Sequence, residues 1–217
     1  MVYRALFCLL AVWGSVLGLA DASGAIIYES GTLGATGVTW QQAQDGEVEA
    51  ESIQHKKFTG ARLHLDQPVQ VTHIGGHFFA PTAGTFFGAI VELDDENDFP
   101  DSEELDTPDV VGSTLLTFPA PSGEVFGTLS ISLNPGWYAV VFGSDIFSAT
   151  GSGGVVSNST DIGTPDYIGF LNGFGWGTRS PSKRFVIKGN IVPEPTVAVM
   201  LSIFTLLTLT HKPRRKP

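Results

Sequence analysis

Cysteine is nearly absent from this sequence, since the 217 residues include only Cys8. Cys8 lies in an apolar run, residues 5–19, that follows the positively charged Arg4 and has the length of a signal-peptide core. Ala20-Asp21-Ala22 then provides a small-x-small cleavage site, and Ser23-Gly24-Ala25 provides a second one. The pattern predicts a signal peptide over residues 1–22 and an exported protein. A mature chain without Cys8 has no cysteine, which excludes disulfides, a thiol nucleophile and cysteine metal ligands.

Basic residues are scarce as well. Residues 23–191, which we expect to form a single domain of 169 residues, carry 20 acidic and seven basic side chains, a formal charge of −13. A surface of this sign repels nucleic acid and anionic lipid, so we expect no nucleic-acid partner. Divalent cations and neutral polymers are the partners that such a surface admits.

The motifs of several common enzyme classes are missing too. The chain has no Gly-x-Ser-x-Gly, no phosphate-binding Gly-x-x-x-x-Gly-Lys and no His-Glu-x-x-His. His73 and His77 are four residues apart, but in a strand this spacing separates two same-face side chains by about 13 Å, too far for one metal ion. A bulge at Gly75-Gly76 would shorten the distance or turn the two side chains to opposite faces. We therefore expect no catalytic residues, no firm cofactor and no enzyme activity.

No amphipathic helical pattern stands out, and alternation with a period of two dominates the domain. In residues 61–66 and 128–133, apolar and polar side chains alternate as in strands with one solvated face. Turn signals such as Asn134-Pro135-Gly136 separate the alternating segments. The pattern predicts an all-β fold, an antiparallel β-sandwich of jelly-roll type. The predicted strands are residues 25–29, 37–41, 47–54, 61–66, 69–79, 85–93, 110–118, 128–133, 137–142, 167–171 and 184–191.

One predicted strand differs from the others in its pattern. Residues 137–142 read Trp-Tyr-Ala-Val-Val-Phe and are apolar at successive positions. Because successive side chains in a strand point to opposite faces, this segment has two apolar faces. The sequence therefore predicts a central strand that is covered on both sides.

Acidic residues are concentrated in one segment, residues 92–109, where ten of 18 side chains are acidic. Asp94, Glu96 and Asp98 alternate as in a calcium-binding loop and are the candidate calcium ligands. The glycine that such a loop uses for its sharp turn is missing, since Phe99 follows Asp98. The alternative is a solvated connection whose charges keep strands from pairing with neighbours. A short helical turn over residues 102–105, with Ser102 as its cap, is compatible with both interpretations.

Aromatic residues alternate with glycine in a second unusual segment, residues 170–177. Rings exposed at the end of a sandwich can stack on sugar faces, which makes Phe174 and Trp176 candidate glycan contacts. In the alternative interpretation both rings fold back onto the core, and the glycines allow their close approach.

The C-terminal segment combines three features. Pro193-Glu194-Pro195 is expected to stay extended, because each proline fixes its own backbone and disfavours helix in the residue before it. Residues 196–210 are mostly apolar and, as a helix, span about 22 Å of a hydrocarbon core of about 30 Å. The basic tail, residues 211–217, includes Arg214, Arg215 and Lys216, which resist translocation and stay on the cytoplasmic side. The segment predicts a transmembrane helix that is short enough to hold the protein in the membrane only until the tail is processed. An ordinary, permanent tail anchor is the alternative.

This order of motif, apolar run and basic tail resembles the PEP-CTERM sorting signal of exported bacterial proteins, here residues 192–217. The signal peptide implies Sec-dependent export and cleavage by signal peptidase. The resemblance implies recognition and cutting of the tail by an exosortase in a Gram-negative envelope. It also implies a stay in the inner membrane before processing, a final place at the cell surface or in the extracellular matrix, and a link to exopolysaccharide.

The domain before the tail, residues 23–191, resembles the choice-of-anchor β-sandwiches found upstream of such tails. The resembling features are residues 133–142, Phe58-Thr59-Gly60 and the order of the strands. We therefore expect a structural or adhesive protein of the envelope or matrix. A carbohydrate-binding module is the alternative, and a hydrolase ranks third because no two carboxylates can be placed together from the sequence.

Overall fold

The computed structural model describes residues 24–193 of the chain. The predicted signal peptide, the predicted membrane helix and the basic tail lie outside the described residues. The described part is all-β, with twelve strands and one helix of five residues. The strands are β1 (Ala25–Glu29), β2 (Ala50–Ile53), β3 (Lys57–Leu65), β4 (Val69–Phe79), β5 (Thr85–Leu93), β6 (Val110–Thr117), β7 (Gly123–Leu133), β8 (Gly136–Gly143), β9 (Gly153–Val156), β10 (Asp166–Leu171), β11 (Gly175–Thr178) and β12 (Phe185–Ile191), and the helix is α1 (Trp40–Gln44).

The strands form two antiparallel sheets of six strands each. The first sheet has the order β1-β12-β4-β9-β2, and β7 pairs with the other edge of β4. The second sheet has the order β11-β10-β3-β8-β5-β6. Ala25 of β1 pairs with Gly189 of β12, so the two ends of the described chain lie side by side.

The inner faces of the two sheets pack on one another and enclose the main hydrophobic core. Phenylalanines from both sheets meet there: the ring of Phe142 lies 4.9 Å from that of Phe78 and 5.4 Å from that of Phe185, centroid to centroid. Burial of such large side chains is the main contribution to the stability of the sandwich.

A second core covers the outer face of the β3–β8–β5 sheet. Ala139 and Val141 of β8 point into it, whereas Tyr138, Val140 and Phe142 point into the main core. Long connections supply the cover, with Phe99 and Leu105 from the acidic segment and residues 146–149 from the segment after β8. The prediction of a central strand buried on both faces is therefore confirmed.

Two local predictions were wrong, and two strands were missed. Residues 37–41 were expected to form a strand, but Thr39 caps a helix that begins at Trp40, with a reciprocal capping box between Thr39 and Gln42. Residues 102–105 form no helix. The strands β9 and β11 were not predicted, because Gly153-Gly154 and the glycines of β11 indicate loops when they are seen in sequence alone.

Within residues 24–193, no helix has the length and apolar character needed to cross a bilayer.

Candidate functional site

An open notch lies at the edge of the second sheet, where β10 stops short of the end of β3. β10 pairs with β3 only as far as Asp166 and Arg62, while β8 continues along the other side of β3 to Leu65. The chain before β10 and the start of the acidic segment form the rim. The resulting cavity has a volume of about 500 Å³ and is lined by Tyr28, Arg62, Leu63, His64, Glu96, Asn97, Trp137, Ile162, Thr164, Pro165 and Asp166.

Arg62 fixes the floor of this notch. Arg62 is only 6% exposed, and its Nη2 lies 2.8 Å from Oδ2 of Asp166. Its Nη1 donates to the carbonyl oxygen of Asp98 at 3.0 Å, and its guanidinium carbon lies 4.7 Å from the ring centroid of Phe99. The Asp166 side chain is 44% exposed, so the ion pair holds a carboxylate that solvent can reach.

Two aromatic side chains form one wall. His64 of β3 and Trp137 of β8 are register partners, and their ring centroids are 4.9 Å apart. Trp137 is half-buried against the second core, while His64 is exposed, with its Nδ1 3.1 Å from Oδ1 of Asp66. The wall therefore combines an anchored indole with a more accessible imidazole.

The inner side of the notch holds two unpaired polar atoms. Among the described residues, Tyr28 Oη and Arg62 Nε are buried and have no hydrogen-bond partner. Burial raises the pKa of the Tyr28 phenol above its ordinary value. Buried polar groups normally have partners, so these two atoms are exceptions to that rule.

Of the candidate calcium ligands, Asp98 is engaged by backbone groups. Asp98 accepts hydrogen bonds from the backbone N–H of Asp94 through Oδ2 and of Phe99 through Oδ1, each at 2.8 Å. Asp95 accepts the N–H of Asn97 at 2.7 Å, and Glu96 lies at the rim of the notch. Between residues 24 and 193, no three His, Cys, Asp or Glu side chains are grouped so that they could hold a metal ion. Calcium binding by Asp94, Glu96 and Asp98 stays a prediction.

The two strand histidines have separate partners. The Nδ1 of His73 lies 3.1 Å from Oγ1 of Thr72. His77 is fully buried, and its Nε2 lies 3.0 Å from Oγ of Ser122, which also accepts the N–H of Val38 at 2.9 Å. Burial lowers the pKa of His77. The His77–Ser122 pair therefore links strand β4 to the turn that precedes β7, and it has little contact with solvent.

The two candidate glycan contacts lie in different environments. Trp176 packs on the second core, with its ring 5.6 Å from Phe170 and 6.3 Å from Phe58, and its Nε1–H donates to the carbonyl of Ser102. Phe174, at the tip of the β10–β11 turn, is 85% exposed. Trp176 is thus partly buried against the core, as in the alternative interpretation, whereas Phe174 is exposed.

Sequence reasoning missed the notch. Its main residues, among them Arg62, Trp137 and Asp166, come from three different strands, and only the pairing register places them side by side. Trp137 was expected to be core, and Arg62 was a polar position of an alternating strand. The sorting motif itself falls almost wholly outside the described residues, which end at Pro193.

The fold and the notch define an all-β, antiparallel two-sheet protein with a polar and aromatic cavity at one sheet edge. No protein-family model matches the chain, and no curated protein is similar enough to be matched.

Proposed function

We propose that this chain is an exported structural or adhesive protein of a bacterial cell envelope or extracellular matrix, sorted through its C-terminal tail. The observation that carries the proposal is the order of Pro193-Glu194-Pro195, an apolar run of 15 residues and a basic tail. The signal-peptide pattern at the other end agrees with export. The proposed partners are the Sec machinery, signal peptidase, an exosortase, the inner membrane and exopolysaccharide.

The strand order supports a jelly-roll arrangement of the domain. Without β2, β9, β10 and β11, the sheets reduce to β1-β12-β4-β7 and β3-β8-β5-β6. Each has four antiparallel strands, the first strand pairs with the last, and the chain passes between the sheets from β3 to β4 and from β4 to β5. Two four-stranded sheets linked in this way are typical of a jelly roll.

Each part of the tail has its own role in this proposal. The Pro-Glu-Pro stretch stays extended and accessible to the exosortase at the outer face of the membrane. The apolar run of residues 196–210, if it enters the bilayer as the predicted helix, is too short to span the hydrocarbon core comfortably and would hold the protein only until it is cut. Arg214, Arg215 and Lys216 keep the end of the chain in the cytoplasm.

Alanine replacement of Pro193, Glu194 and Pro195 together tests the sorting role. In a host that carries the sorting enzyme, we expect full-length protein to accumulate in the inner membrane, because recognition is lost while insertion is retained. Fractionation and mass spectrometry of both chain ends measure this, with Ser23 as the expected mature N-terminus and Ile26 as the second choice. Processing and location like those of the unaltered chain would show that the tail is a plain anchor.

Two further variants separate recognition from membrane insertion. Deletion of residues 196–217 should release the protein beyond the inner membrane, because nothing then holds it in the bilayer. Alanine at Arg214, Arg215 and Lys216 should weaken retention while leaving the Pro-Glu-Pro motif intact. If all three variants behave alike, the tail does not have separate parts and the proposal fails.

A second function, binding of a matrix polysaccharide, is favoured by a specific observation. The notch places Trp137 and His64 beside the exposed carboxylate of Asp166 in a cavity of about 500 Å³. This volume lies within the range of about 300–1,000 Å³ that small-ligand sites occupy. Retention of the protein on the host's own polysaccharide, lost on addition of free polymer, tests this function.

A further inference from the structure

We propose that the notch binds one neutral pyranose residue of a polysaccharide, with one ring of the Trp137–His64 wall against a sugar face and Asp166 and Asn97 hydrogen-bonded to ring hydroxyls. The inference rests on the second candidate function and is independent of tail sorting. It concerns a site that does not include Phe174 or Trp176.

The wall supplies the apolar part of the site. A pyranose carries C–H groups on its faces and hydroxyls around its rim, so it needs an aromatic surface with polar groups beside it. The Trp137 indole is anchored by packing on the second core, and its centroid lies 4.9 Å from that of the His64 ring. The two ring planes are tilted by 56°, so one ring can lie flat against the sugar while the other borders it. An aromatic ring that is already fixed loses little conformational freedom on binding.

Asp166 supplies a prepared hydrogen-bond acceptor. Its Oδ2 is paired with Arg62 at 2.8 Å, while the side chain remains 44% exposed. The buried guanidinium thus fixes the carboxylate, which can accept hydrogen bonds from sugar hydroxyls without first being ordered. Asn97 and Thr164, both exposed at the rim, add an amide and a hydroxyl that donate and accept.

The local charge selects a neutral sugar. Arg62 is the only arginine or lysine among the lining residues, and its guanidinium is engaged by Asp166 and by the carbonyl of Asp98. His64, which also lines the notch, is paired with Asp66. Glu96 and Asp166 are both acidic and line the same cavity. A uronic acid would meet like charge there, because close carboxylates repel one another.

Two unpaired donors lie buried behind the lining of the notch. They are Tyr28 Oη and Arg62 Nε–H, which have no partner among the described residues. Because both atoms are covered from solvent, a sugar hydroxyl would accept from them only after a shift of the side chains around them. Tyr28→Phe removes one of them with little change in shape.

The proposal is tested by ligand-observed NMR and tryptophan fluorescence. The protein used is the chain without its signal peptide but with its C-terminal tail, held in a detergent that has no sugar headgroup. The probes are glucose, galactose, mannose, cellobiose and maltose, with galacturonic acid as the charged comparison. We expect at least one neutral probe to bind, galacturonic acid to bind at least fivefold more weakly, and Trp137→Ala to weaken binding at least tenfold.

Further variants test the same site in case Trp137→Ala folds poorly. Trp137→Phe should retain part of the affinity, and Asn97→Ala, at an exposed position, should weaken binding severalfold without disturbing the fold. Phe174→Ala is the control, because it removes an exposed ring outside the notch, and it should leave binding unchanged. Three results would each overturn the assignment. They are loss of binding in Phe174→Ala with binding kept in Asn97→Ala, tighter binding of galacturonic acid than of the neutral sugars, and no binding of any probe.

Discussion

Three of the seven basic side chains in the described part of this acidic protein are buried: Arg62, Lys183 and Arg184. Lys183 is fully buried and lies 3.0 Å from Glu51, and Arg184 reaches Glu29 at 2.7 Å and Glu124 at 2.6 Å. These pairs, like that of Arg62 with Asp166, join residues far apart in the chain. Removing one partner of such a pair leaves a poorly solvated charge, which typically costs about 3–5 kcal/mol when the pair is buried. The few cations thus cross-link strands and leave the surface acidic.

At the same scale, His77 predicts a pH-dependent stability. Burial lowers its pKa in the folded protein below the unfolded value of about 6.5, so the unfolded chain takes up a proton first as the pH falls. The free energy of unfolding should therefore decrease as the pH drops below about 6.5. Urea unfolding of His77→Gln between about pH 7.5 and 5 should show a shallower decrease than the unaltered chain.

The comparison variant for this measurement is His64→Gln, which changes an exposed histidine. It should keep the decrease in stability of the unaltered chain. Equal pH dependence in His77→Gln and in the unaltered chain would show that other groups cause the loss of stability at low pH.

Most of the long strands were predictable from the sequence, and the elements fixed by glycine or by capping were not. The bounds of β1, β4 and β5 agree with prediction, although β5 is buried on both faces, whereas the alternating segments 61–66 and 128–133 cover only parts of β3 and β7. The helix α1 was missed, since Val38 and Trp40 look like alternating strand residues and the Thr39–Gln42 capping box was overlooked. In β9 and β11, backbone pairing outweighs the low strand preference of glycine.

At the scale of the strand, Gly143 of β8 leads to a stability prediction. A Cβ at this position would overlap the Phe58 ring and lie 2.6 Å from the Phe87 ring, both in the second core. Overpacking of this kind costs about 1–3 kcal/mol, so Gly143→Ala should lower the free energy of unfolding by that amount. Denaturant unfolding measures the change.

Gly177 of β11 provides the matched control, because a Cβ there would meet no atom within 4 Å. Gly177→Ala should change the free energy of unfolding by less than about 0.5 kcal/mol. Similar losses in the two variants would mean that loss of glycine itself, rather than contact with Phe58 and Phe87, determines the cost.

For the whole molecule, the fold class was readable from the sequence and the notch was not. The alternation of single strands indicates two sheets, but the site depends on where β10 stops relative to β3. Register over a long sequence separation is set by packing in three dimensions, and residues 62 and 166 carry no local signal that they meet. The net charge, in contrast, depends only on composition and could be read directly from the sequence.

The excess of acidic residues predicts that salt stabilises the domain. We expect Ca²⁺, Mg²⁺ and NaCl at equal ionic strength to raise the melting temperature alike, because each screens the repulsion within a domain of charge −13. Thermal unfolding in the three salts measures the effect.

A rise specific to Ca²⁺ would instead support a calcium site, because a ligand that binds only the folded state stabilises it. Asp98→Ala should then abolish the rise. Asp94→Asn is the cleaner variant, since Asp98 also accepts the backbone N–H groups of Asp94 and Phe99.

The position of β12 bears on how the domain responds to tension. The chain leaves the domain directly from this strand, which is hydrogen-bonded on one side to β1 and on the other to β4. A pull transmitted along the strand shears both ladders and loads their hydrogen bonds together, whereas an edge strand pulled sideways peels away one bond at a time. A domain held by its tail in flowing water would therefore unfold slowly under load, since forced unfolding depends on the barrier to leaving the folded state.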